Sequence, residues 1–168
     1  MKAKEKVRIE ELRKTNAIKT MYYTRYFMVR YVVAFFFFIN LYWALMLYLS
    51  KAYGVMVLPV SLCLLGILSM WEQFTMFTTN QKNPKFCKVF FKGILLINTF
   101  LTMGTLVGIT SDFFPFFKTT WNARLTIIGM LICGIFLAGF MLYRMAIIDT
   151  KQDRQIGRID RYLAALKS

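Results

Sequence analysis

Four runs of apolar residues, at about 31–50, 55–77, 89–110 and 124–148, constrain this chain more than any motif in it. Crossing a hydrocarbon core ~30 Å thick takes ~20 helical residues at ~1.5 Å each, and every run is long enough. Backbone N–H and C=O groups find no water in lipid, so a spanning segment is either a helix or part of a closed barrel. None of the runs shows the period-two alternation of a barrel strand, and the first, YVVAFFFFINLYWALMLYLS, is apolar all round. The expected fold is all-α: a polytopic membrane protein with four transmembrane helices in a bundle. Apolar side chains make up 58% of the 168 residues, which fits that class.

The charges predict which way the spans run. Lys and Arg number 22 against 8 Asp and Glu. The basic residues collect before span one (Lys2, Lys4, Lys6, Arg8, Arg13, Lys14, Lys19, Arg25, Arg30), around the loop joining spans two and three (Lys82, Lys85, Lys88, Lys92), and after span four (Lys151, Arg154, Arg158, Arg161, Lys167). The alternate loops carry only Lys51, then Lys118 with Arg124. By the positive-inside rule both termini are cytoplasmic, and the plasma membrane is the expected location. Anionic lipid headgroups are a simpler partner for this charge than nucleic acid, because it lies between and outside the apolar runs. The expected organisation is a basic N-terminal segment over 1–30, a transmembrane domain over 31–148 and a tail over 149–168. The charged and aromatic residues ahead of span one argue against a secretory signal, and Glu5, Glu10 and Glu11 against a transit peptide.

The connections carry further expectations. KAYG is short enough to make spans one and two an antiparallel hairpin. In SDFFPFFKTTWN, residues 111–122, Phe113, Phe114, Phe116, Phe117 and Trp121 surround Pro115, which suits an aromatic belt at headgroup depth or, alternatively, a docking surface. In the tail, Ile156, Ile159, Leu163 and Leu166 fall on one face of a helix, an amphipathic stripe that needs a membrane surface, the bundle or a partner helix to cover it. The N-terminal stretch EKVRIEELRKTNAIKT carries a weaker stripe and suits a surface helix.

Inside the spans, small residues predict close helix contact. Gly104 and Gly108 in span three, and Gly129 with Cys133, Gly134 with Ala138, and Gly139 in span four, make those two spans the expected close pair, with a dimer seam as the alternative. Asn40 and Asn98 lie nearest the bilayer centre, either fixing helix register or lining a polar path. Glu72, in SMWEQFTMF, falls ~7 Å inside the boundary of span two by the helical rise. Arg144 lies at matching depth in span four, and Lys92 about a turn inside span three, so an ion pair from Glu72 to Arg144 or Lys92 is the favoured reading, ahead of snorkelling or a proton relay.

The catalytic inventory is sparse. The chain has no histidine, which removes the commonest general base and transition-metal ligand, and no paired carboxylates fall within the spans. Cys63 and Cys133 read as small hydrophobes within spans, and Cys87 as a free thiol facing a reducing compartment, with no activating base near it in sequence. Neither a phosphate-cradling loop nor a dinucleotide fingerprint occurs, so no cofactor and no metal are expected. A non-catalytic accessory, scaffold or assembly subunit of a larger membrane protein complex, partnered by other subunits or by itself, is the leading expectation. A small oligomeric transporter or channel using Asn40, Asn98 and Glu72 follows, and a membrane-embedded enzyme comes last.

Overall fold

A computed structural model describes residues 2–24, 26–79, 84–118, 120–150 and 157. Among them the secondary structure is wholly helical: α1 (Lys2–Thr24), α2 (Phe27–Leu49), α3 (Tyr53–Thr79), α4 (Lys85–Val107), the single turn α5 (Thr110–Phe113) and α6 (Trp121–Asp149). Helices α2, α3, α4 and α6 are each long and apolar enough to cross a membrane, compatible with a multi-pass membrane protein. The tail residues Ile156, Ile159, Leu163 and Leu166 lie outside the described residues.

Helix ends depart from the apolar runs because hydrogen bonding, not hydropathy, sets them. α2 starts at Phe27, taking Arg30 into its first turns, and α4 starts at Lys85, taking in two lysines that dilute the apolar signal. α4 stops at Val107 because Gly108 adopts φ 107°, and the Gly108 and Ile109 N–H groups close back onto the Gly104 carbonyl at 3.2 and 3.0 Å. Only glycine takes that left-handed conformation without strain, so Gly108 ends a helix instead of packing one against another.

The link between α2 and α3 uses the same device with a costlier residue. Lys51 sits at φ 58°, while the N–H groups of Lys51 and Ala52 donate to Tyr48 O and Leu47 O at 3.1 and 3.0 Å. These two bonds satisfy carbonyls that the end of α2 would otherwise leave open.

The four long apolar helices pack on one another in succession, α2 on α3, α3 on α4 and α4 on α6, while α5 lies on α4 and α1 touches α3. One core cluster joins Val29, Val33 and Phe36 of α2 with Leu62 of α3, Phe90, Phe91 and Ile94 of α4, and Ala138, Met141, Met145 and Ile148 of α6. It lies toward the end bearing Arg30, Lys85, Lys88 and Arg144, hereafter the basic end. A second cluster of Trp43, Leu47, Leu101, Phe114 and Ile127 fills the opposite end. The outer faces, including Phe35, Phe38, Leu64, Leu96 and Phe136, are exposed apolar surface suited to lipid.

Candidate functional site

The strongest concentration of buried polar groups lies where α3 turns into α4. Ser69, Glu72 and Gln73 share one face of α3, since residues three and four apart on a helix are neighbours. All three are buried, and they meet the first turn of α4. Glu72, 8% exposed, accepts the Lys85 backbone N–H on Oε1 at 2.7 Å and the Cys87 backbone N–H on Oε2 at 3.1 Å.

Those two N–H groups belong to the first turn of a helix, where no carbonyl of the same helix is available and the helix dipole presents its positive end. Pro84, at the cap position, contributes no donor of its own and no capping side chain. The carboxylate of a neighbouring helix fills that role. The expected ion pair is thereby corrected: Glu72 takes backbone N–H partners, and neither Arg144 nor Lys92 is within ion-pair distance of it. Because α4 begins four residues before the expected span, the helix's positive end, not a basic side chain, reaches the acid. Lys92 is exposed on α4.

Cys87 is fully buried, so it does not face an aqueous compartment as the sequence suggested. Its Sγ lies 2.8 Å from Ser69 Oγ and accepts the Gln73 Nε2 amide at 3.0 Å. Cys87 is thus tied to α3 twice, its backbone N–H to Glu72 and its thiol to Ser69 and Gln73. Gln73 Oε1 is buried without a hydrogen-bond partner, a cost of roughly 1–3 kcal/mol set against the rest of the network. At the same end Lys88 of α4 pairs with Asp149 of α6. Among the described residues, no group of three His, Cys, Asp or Glu side chains is placed to hold a metal ion.

The other expected site residues disperse. Asn40 is buried, but its Nδ2 donates to Phe36 O at 2.8 Å within its own helix, so it does not bond across helices. Asn98 lies across the α4–α6 seam against Gly134, where an added Cβ would meet its Nδ2 at 2.5 Å. Helices α4 and α6 pack together there, with Ala138 buried, but no more extensively than α2 and α3, so they are not singled out as the close pair. Gly104 cradles the Phe113 ring, while Gly129 and Gly139 have nothing within 4 Å of the point where a Cβ would stand. Gly66, not anticipated, receives Phe37 and Phe90 at 3.2 and 3.3 Å from such a point and lets α2 approach α3.

The aromatic segment folds inward, in place of a uniform belt. Trp43 Nε1 donates to Phe113 O at 3.4 Å, and its indole stacks on Phe114 at 5.6 Å between centroids. Phe100 meets Phe113 edge-on, and Phe114 meets Phe116 in the same way. Phe117 and Trp121 alone of the five expected aromatics stay exposed. Trp43 was concealed in the sequence by its apolar neighbours, although an indole N–H deep in a span needs an acceptor and is a usable signal. Comparison with known protein families, characterised proteins and solved structures finds no match for this chain.

Proposed function

We propose that this chain is a non-catalytic integral membrane protein, an accessory, scaffold or assembly subunit of a larger membrane protein complex, in the plasma membrane with both termini cytoplasmic. The observation that supports it is the use of buried polarity. Glu72 caps the α4 N-terminus, and Asn40 bonds its own helix backbone. Both are committed to architecture, so two of the three residues proposed for a transport path have structural duties instead. Anionic headgroups at the basic end and other membrane subunits are the proposed partners.

Purification of the full-length chain from its native membrane in mild detergent tests the reading. A stoichiometric partner protein is the expected result, and a lone monomer would sink it.

A further inference from the structure

The outer surface of α6 near the basic end carries a feature that assembly does not account for. A groove of about 140 Å³ is lined by Phe140, Tyr143, Arg144, Ile147 and Ile148. Arg144 is half-buried in it, and its Nε is buried with no hydrogen-bond acceptor. Asp149, the carboxylate at this end of α6, is paired with Lys88, and Arg144 has no carboxylate within pairing distance among the described residues.

A guanidinium offers donors in a planar fork and does not deprotonate, so a site that partly desolvates it calls for an anion. Arg144 lies five residues short of the end of α6 at Asp149, or ~7.5 Å along the axis, the depth at which lipid phosphates and the first acyl carbons meet. The groove matches both parts of that ligand. Arg144 suits two oxygens of a phosphate, and Phe140, Ile147 and Ile148 form an apolar wall for a chain. The formal net charge of +14 and the lysines at this end favour a headgroup with net negative charge over a zwitterionic one, whose ammonium they repel.

We propose that this groove is a binding site for one anionic phospholipid, its phosphate held by Arg144 and an acyl chain laid along Phe140 and Ile147. The site is independent of what the chain assembles with.

Native mass spectrometry of the full-length protein in mild detergent, titrated with phosphatidylglycerol or phosphatidylcholine, tests it. The wild type is expected to retain phosphatidylglycerol in preference to phosphatidylcholine, and Arg144→Gln to weaken that retention about tenfold, as loss of a bidentate charge-assisted contact implies. Ile147→Trp, which fills the groove and leaves the charge, is expected to weaken it as well, whereas Arg13→Gln on α1 leaves it unchanged. Equal retention by wild type and both groove variants overturns the site. So does equal retention of the two lipids, displacement by inorganic phosphate, or loss of a co-purifying protein in place of lipid.

Discussion

Glu72 Oε2 accepts the backbone N–H of Cys87 at 3.1 Å, fastening the last turns of α3 to the first turn of α4. With the bond from Lys85 N–H to Oε1 it leaves two helix-terminal donors dependent on one side chain. A charge-assisted bond contributes roughly 1.5–3 kcal/mol, and a buried donor stripped of its partner costs a similar amount. Glu72→Ala is therefore expected to destabilise the fold by about 2–4 kcal/mol in reversible unfolding in detergent. Glu72→Gln, which keeps one oxygen and loses the charge, should cost about half as much. A Glu72→Ala variant within about 0.5 kcal/mol of wild type would refute the cap.

The glycines separate by what faces them. Gly104→Ala drives a methyl group into the Phe113 ring, itself held against Phe100, and the expected loss is about 1–3 kcal/mol. Gly129→Ala and Gly139→Ala enter open space and should be neutral or stabilising by up to ~1 kcal/mol through helix propensity. Thermal unfolding of the three variants, with size-exclusion chromatography beside it, distinguishes these outcomes from a dimer seam, in which Gly129→Ala or Gly139→Ala would shift the oligomeric state.

Much of this architecture was legible in the apolar runs, and the rest was illegible for physical reasons. Four spans follow from length and hydropathy alone. Which side of each faces inward does not: Phe35 and Phe36 are identical neighbours in a run apolar all round, yet the first is 54% exposed and the second 4%. Glu72 was readable as an acid in need of a partner, but its partners are backbone N–H groups, which no residue type announces. The start of α4 was hidden by Lys85 and Lys88, which lower hydropathy without interrupting a helix. Gly104 and Gly108 fit a packing pattern by spacing, although one serves a ring and the other a chain reversal.

Lys51 points to an easy gain in stability. A non-glycine residue held at positive φ costs about 1 kcal/mol relative to glycine, and the two capping bonds there use only backbone atoms. Lys51→Gly is expected to raise stability by up to ~1 kcal/mol, and Lys51→Ala to give no such gain. Matched denaturation of the two variants checks this, and equal effects would place the origin in charge, not conformation.

The three cysteines offer a probe of the α3–α4 junction that does not depend on knowing a partner. Cys133 is exposed on α6, Cys63 is half-buried with its Sγ 3.9 Å from Phe37 O, and Cys87 is fully buried under Ser69 and Gln73. A small uncharged maleimide in mild detergent should leave Cys87 protected until the first turn of α4 opens. Labelling of a buried thiol follows the population of the open form, so weakening the junction by even ~1.4 kcal/mol raises the rate about tenfold. In a chain retaining Cys87 alone, made by Cys63→Ala and Cys133→Ala, adding Glu72→Ala is expected to accelerate labelling at least that much. Cys87 in the native protein reacting as fast as in the denatured chain, or a rate indifferent to Glu72→Ala, contradicts the arrangement in which one carboxylate holds the start of α4 closed.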